Sequence, residues 1–154
     1  MKKGFTMIEL IFVIVILGVL ASVAIPRLAA TRDDAEVAKA ATNLATAISD
    51  ITAYYTAKGT FDSNAANNMQ TMTNALTTTG QLMMKNKECA KVTLPTITTS
   101  TDKVELKIEF TGTSNDAACA TLKGLSSVKQ MCGNQMTSSG KCTIQIGGSG
   151  GIAW

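Results

Sequence analysis

The first 26 residues carry the strongest hydrophobic pattern in the chain. From Phe5 to Ile25 the sequence runs for 21 residues with a single charge, Glu9. An α-helix rises about 1.5 Å per residue, so this segment would be about 31 Å long, the thickness of the hydrocarbon core of a bilayer. The pattern therefore predicts a membrane-spanning helix over residues 5–26.

The helical pattern continues beyond this apolar run. A proline inside a helix removes one hydrogen bond and tends to kink it, so we expect a bend at Pro26. Farther along, apolar residues recur at spacings of three and four, which places them in one stripe of an amphipathic helix. They are Val37, Ala41, Leu44, Ile48, Ile51 and Tyr55. The sequence predicts one helix from about Phe5 to Ala57, with residues 27–58 as its amphipathic half and Gly59 as its C-terminal stop.

The sequence of residues 59–154 predicts a small globular domain. The clearest strand is Asp102–Phe110, where apolar and charged side chains alternate as in a half-buried antiparallel strand. We expect its apolar side to cover the stripe of the long helix. Other predicted elements are helices over 65–76 and 116–125 and strands over 91–94 and 142–146. The predicted fold class is α+β: a long N-terminal α-helix, first transmembrane and then amphipathic, packed on a small antiparallel β-sheet domain.

Composition and charge narrow the possible functions. The net charge is +3, from 14 basic and 11 acidic residues, and two of the basic ones are Lys2 and Lys3 before the apolar run. A balance so near neutral gives no argument for nucleic acid as a partner. The chain has no histidine, which excludes Ser-His-Asp and Cys-His catalysis and histidine-containing zinc sites. We therefore expect no enzyme activity, no cofactor and no metal.

Four cysteines lie in the predicted globular domain: Cys89, Cys119, Cys132 and Cys142. None has the C-x-x-C spacing of a zinc ribbon or a thioredoxin-type redox pair. A small core outside the cytoplasm favours structural disulfides. Four cysteines allow three pairings. We expect Cys132 to pair with Cys142, across nine intervening residues, and Cys89 to pair with Cys119.

The most specific motif is the beginning of the chain. The sequence MKKGFTMIEL, followed by an apolar run that Pro26 breaks, resembles the N-terminus of the type IV prepilin family. That family includes pilins and the pseudopilins of type II secretion and DNA uptake. The resemblance is specific over residues 1–28, and it implies a pilin-like fold. The loop between Cys132 and Cys142 also resembles the disulfide-closed surface loop of many type IV pilins.

The resemblance further implies how the protein matures and assembles. In such proteins a prepilin peptidase removes the leader, here residues 1–4, by cutting between Gly4 and Phe5. It then methylates the new amino group of Phe5. The glutamate, here Glu9, is taken to pair with the terminal amine of a neighbouring subunit. The implied partners are the peptidase, identical or related pilin subunits in a helical polymer, and an inner-membrane assembly platform.

Two other interpretations of the N-terminus remain open. In a secretory signal peptide, Ser22-Val23-Ala24 would be the cleavage site, but the apolar region of such peptides is only about 7–15 residues long and carries no acid. A plain single-pass anchor explains the length of the run and the lysines on the cytoplasmic side. It does not explain why Gly4-Phe5 is followed by Glu9.

The predicted function is that of a structural subunit, a pilin or pseudopilin, in a type IV pilus-like filament that serves type II secretion or a pilus. Before assembly the protein would cross the inner membrane once, with its C-terminal domain in the periplasm. After assembly it would belong to a periplasmic or extracellular filament. The alternatives are a DNA-uptake pseudopilin, for which the sequence offers no basic aromatic surface, and an anchored binding or adhesin domain that never polymerises.

Overall fold

The structure is a computed structural model that describes residues 4–62, 65, 68–95, 103–112 and 116–147. The chain separates into two units, Met1–Ala35 and Glu36–Trp154. The elements in chain order are α1 (Met7–Lys58), a 3-10 helix (Met69–Thr71), β1 (Gln81–Met84), β2 (Lys87–Thr93), β3 (Val104–Phe110), α2 (Ala117–Gly124), α3 (Ser126–Met131) and β4 (Lys141–Gly147). Residues 1–3 of the expected leader lie outside the described residues.

The N-terminal unit is the apolar part of α1 with the residues before it. Every described side chain from Gly4 to Leu28 is exposed. Among the described residues, all of the exposed large apolar side chains except Met83 lie in this segment. Among the described elements, α1 alone is long and apolar enough to cross a membrane. Pro26 lies inside this helix, and a bend there stays a prediction.

The C-terminal unit contains a four-stranded antiparallel sheet in the order β1-β2-β3-β4. The alternation predicted for β3 is confirmed, because its buried side chains are Val104, Leu106, Ile108 and Phe110, and the charged ones between them are not buried. The strand begins at Val104, while Asp102 of the predicted strand lies outside the described residues. β2 begins at Lys87, four residues earlier than the predicted strand at 91.

The later part of α1 belongs to the same core as the sheet. Its fully buried side chains are Val37, Ala40, Leu44, Ala47 and Ile51, which form one hydrophobic cluster with the inner side chains of the strands. The predicted stripe is therefore confirmed, but its centre is shifted: Ala40 and Ala47 are buried, whereas three of the predicted positions, Ala41, Ile48 and Tyr55, are only partly buried. The observed fold is α+β, as predicted.

The prediction of a helix over residues 65–76 is wrong. Among the described residues of this range, Met69–Thr71 form a short 3-10 helix and no α-helix occurs, although Ala65, Met69 and Leu76 are buried as their spacing suggested. The buried Thr73 explains part of the difference, because its hydroxyl donates to Asp50 Oδ2 of α1 at 2.8 Å and accepts from Ala75 N–H at 3.2 Å. Such side-chain bonds compete with those of a regular helix.

The helix predicted over 116–125 is confirmed as α2, and it is followed by α3, which was not predicted. Asp116 precedes α2 and accepts a hydrogen bond from Ala118 N–H at 2.9 Å, as an N-cap residue does. That bond, and then the Lys87 ammonium at 3.3 Å, hold the pKa of the Asp116 carboxyl below its usual value. The cap and the ion pair join α2 to the start of β2.

Candidate functional site

Glu9 lies in the first turn of α1 and is bound to the residue that precedes the helix. The N–H and the hydroxyl of Thr6 both donate to Glu9 Oε2, at 2.8 Å and 2.6 Å. In return, Glu9 N–H donates to Thr6 Oγ1 at 3.4 Å. This reciprocal arrangement is a capping box, which satisfies backbone N–H groups that a helix leaves without partners at its N-terminus. The negative charge also lies at the positive end of the helix dipole.

The capping box fixes the position of the Glu9 carboxylate without enclosing it. Both bonds from Thr6 fall on Oε2, and the other oxygen, Oε1, receives no hydrogen bond from the residues that the structure describes. The Glu9 side chain is exposed. A carboxylate in lipid is costly unless it has a partner. The two bonds from Thr6 therefore position the carboxylate through one of its two oxygens.

Gly4 and Phe5 precede the cap and are fully accessible. Phe5 is 88% exposed. A Cβ added to Gly4 would have no atom of the described residues within 4 Å, and its backbone is not in the left-handed region. The fold therefore does not require glycine at position 4. The Gly4–Phe5 bond lies just before Thr6, and Phe5 precedes Glu9 by four positions along the chain.

The N-terminal sequence also matches a known family model. Residues 1–25 match the prokaryotic N-terminal methylation motif. The chain carries a type IV prepilin leader. This confirms the resemblance found in the sequence, and a motif of this kind indicates a pilin-like or pseudopilin-like prepilin. The motif also implies processing by prepilin peptidase and assembly with other pilin subunits. No curated protein and no solved structure matches the chain.

The structure places the four cysteines in two pairs. It joins Cys89 of β2 to Cys119 of α2 and Cys132, which follows α3, to Cys142 of β4. The Cα–Cα distances are 5.2 Å and 5.7 Å, within the usual range for disulfides. These are the pairs expected from the sequence. Whether the mature protein carries both linkages stays a prediction.

The sequence-predicted site residues thus fall in separate places. Gly4, Phe5 and Glu9 lie together at the head of α1, Pro26 lies farther along that helix, and the cysteines lie in the C-terminal unit. Sequence reasoning missed Thr6, although the Thr-x-x-Glu pattern before an apolar run is the signature of a capping box. No group of three or more metal-binding side chains occurs within the described ranges.

The cap can be tested by removing only the hydroxyl of Thr6. Thr6→Val is expected to destabilise the first turn of α1 by about 1 kcal/mol, the usual contribution of an N-cap side chain. NMR-detected amide exchange of the precursor in detergent micelles would then be faster at Glu9, whose N–H the Thr6 hydroxyl accepts. Thr6→Ser retains a hydroxyl and is the control. Equal exchange in the valine variant and the wild type would contradict the capping role.

Proposed function

We propose that this prepilin is the precursor of a structural subunit of a type IV pilus-like filament. Prepilin peptidase cuts it between Gly4 and Phe5 and methylates the Phe5 amino group. The mature subunit then assembles through α1 with identical or related subunits, with the help of an inner-membrane assembly platform. The filament serves type II secretion or acts as a pilus.

The observation that carries this proposal is the exposed apolar part of α1 with a positioned carboxylate at its head. Apolar helices in lipid gain no hydrophobic free energy by associating, because lipid chains are as apolar as their own side chains. An unpaired carboxylate on such a helix does favour association, because a cation of the neighbouring helix can pair with it and lower its free energy. The cut after Gly4 would create such a cation on each subunit. Glu9 would therefore select the neighbour whose stagger brings the Phe5 amine to Oε1.

The proposed location follows from the charges and the cysteines. Lys2 and Lys3 precede the apolar run, and such lysines favour the cytoplasmic side of the membrane. The C-terminal unit would then lie in the periplasm before assembly. Two disulfide pairs in that unit suit an oxidising compartment. After assembly the subunit would belong to a periplasmic or extracellular filament.

Processing is tested by intact mass analysis of the protein, expressed in cells with and without a prepilin peptidase. With the peptidase, the protein is expected to lose residues 1–4 and gain one methyl group at Phe5. Gly4→Val is expected to block the cut. Gly18→Val is the matched control, because Gly18 lies within the apolar run that begins directly after Gly4, and a Cβ there also meets no atom of the described residues within 4 Å.

Each of the other outcomes would support a different interpretation of this chain. A mature chain that begins after Ala24 would show an ordinary signal peptide. A chain left intact in the presence of the peptidase would show a plain membrane anchor. Normal processing of the Gly4 variant would contradict the proposed cleavage site. A processed protein that forms no filament would support an anchored binding or adhesin domain instead.

A further inference from the structure

Two turns with the same sequence pattern precede the two edge strands of the sheet. Thr77–Gln81 reads TTTGQ and leads into β1, and Thr137–Lys141 reads TSSGK and leads into β4. The strand order makes β1 and β4 the outer strands of this sheet. Each pattern has threonine first, two hydroxyl residues next, glycine fourth, and the first residue of the strand last.

The first turn is closed by three hydrogen bonds. Thr77 N–H donates to the Gln81 carbonyl at 3.0 Å, and Gln81 N–H donates to the Thr77 hydroxyl at 3.0 Å. Gly80 N–H donates to the Thr77 carbonyl, also at 3.0 Å. Gly80 has φ +78°, and a Cβ there would collide with the Val92 carbonyl oxygen. The fourth position therefore requires glycine.

The second turn repeats these bonds. Thr137 N–H donates to the Lys141 carbonyl at 2.9 Å, Lys141 N–H to the Thr137 hydroxyl at 3.0 Å, and Gly140 N–H to the Thr137 carbonyl at 2.9 Å. Gly140 has φ +79°. The hydroxyl of Thr137 also lies 2.9 Å from that of Ser139, as the hydroxyl of Thr77 lies 3.3 Å from that of Thr79 in the first turn.

The two turns occupy equivalent places in the sheet. Val92 N–H donates to the Gly80 carbonyl, and Phe110 N–H donates to the Gly140 carbonyl, each at 2.8 Å. The register aligns one row of residues across all four strands: Gln81, Lys91, Glu109 and Lys141. A pseudo-twofold axis between Lys91 and Glu109 therefore exchanges β2 with β3 and one turn with the other.

The position of the two turns in the sheet determines which backbone groups Thr77 and Thr137 bind. In an antiparallel ladder the N–H and C=O of one residue point to the same side, and successive residues alternate. The carbonyls of Gly80 and Gly140 point to the inner strands, so the N–H and C=O of Gln81 and Lys141 point to the outer edges. Those are groups with which an added strand would pair. In both turns the threonine binds the N–H and the C=O together.

We propose that the hydrogen bonds of Thr77 and Thr137 block the two edges of the sheet, so that a second copy of this chain cannot extend the sheet at either edge. Each threonine binds the first pair of outward backbone groups of its edge strand, so an incoming strand would have to displace the turn before pairing there. Subunits would consequently associate through other surfaces. This inference rests on the C-terminal unit alone and does not depend on the proposed function.

The test uses the full-length precursor in detergent micelles, where detergent covers the apolar part of α1. Thr77→Val and Thr137→Val keep the shape of the side chain but remove the hydroxyl that accepts the Gln81 or Lys141 N–H. We expect amide exchange at these two residues, measured by NMR, to become about five- to tenfold faster, as the loss of one hydrogen bond predicts. The double variant is also expected to self-associate with rising concentration in sedimentation experiments.

Matched controls separate the lost hydrogen bonds from other effects of valine. Thr77→Ser and Thr137→Ser keep the hydroxyl and should behave as the wild type. Thr143→Val adds the same side chain to β4 outside the turn and should not cause association. Unchanged amide exchange in folded valine variants, a double variant that stays monomeric, or equal association of the Thr143 variant would each overturn the proposal.

Discussion

Replacing Glu9 by alanine is expected to abolish filament formation while the protein still enters the membrane and loses its leader. The proposed cut between Gly4 and Phe5 lies outside the helix, and the proposed insertion of the apolar run into lipid does not depend on the carboxylate. The proposed contact between subunits does depend on it, because the Phe5 amine of a neighbour would have no anion to meet. The expected effect is therefore an all-or-none loss of assembly.

A second variant separates the charge of Glu9 from its role in the capping box. Glutamine can accept the same hydrogen bonds from Thr6, so Glu9→Gln should preserve the first turn of α1. It removes the negative charge, and we expect it to abolish filaments as alanine does. Thr6→Val weakens the cap but retains the charge, and it should still assemble.

Assembly is measured by electron microscopy and by recovery of sheared filaments, and processing is measured by mass spectrometry of the membrane fraction. Normal filaments from Glu9→Gln would show that the hydrogen bonds of Glu9 matter rather than its charge. Normal filaments from both variants would contradict the proposed pairing altogether. Failure of leader removal would instead mean that Glu9 takes part in recognition by the peptidase.

The main elements of the fold could be predicted because their burial follows simple periods. The apolar run and the stripe around Leu44 and Ile51 predicted α1, and Gly59, with φ +72°, ends it as expected. β3 alternates strictly because one of its faces lies on the core. In both cases the spacing of side chains reports directly which face of the element is covered.

The prediction failed where side-chain hydrogen bonds or an irregular register break the period. In β2 the consecutive residues Cys89 and Ala90 are both buried, beside a register shift between Leu82 and Met83. That irregularity hides the alternation of the strand. Between Met69 and Gly80, bonds made by threonine hydroxyls hold the chain in turns, although the apolar spacing suggested a helix.

The candidate site could likewise be predicted from the sequence only in part. Gly4, Phe5 and Glu9 could be identified from the motif, because its residue types and spacing are specific. The pattern also contained Thr6, but the sequence does not indicate which carboxylate oxygen the cap occupies. That detail depends on the side-chain conformation of Glu9, in which both bonds from Thr6 fall on Oε2.

Loss of the Cys89–Cys119 linkage is expected to have the largest effect on the stability of the C-terminal unit. Its two cysteines are 30 residues apart, whereas Cys132 and Cys142 are 10 apart. In the chain-entropy model a longer loop restrains the unfolded chain more, which gives about 3.6 kcal/mol for the first linkage and about 2.7 kcal/mol for the second. Alanine at both positions of a pair removes the linkage and leaves no buried polar atom.

The measurement is thermal unfolding of the full-length protein in detergent micelles, together with a mass-spectrometric map of its disulfides. Removal of the first linkage should lower the unfolding midpoint by about 15 °C, since 1 kcal/mol corresponds to about 4 °C in a domain of this size. The second pair should cost less, and Met83→Ala at a half-exposed strand position is the control. A map that links Cys89 to Cys132 or Cys142 would contradict the predicted pairing. Equal midpoints for the two double variants would instead contradict the loop-length argument, because both pairs are buried alike and differ mainly in the length of chain that they close.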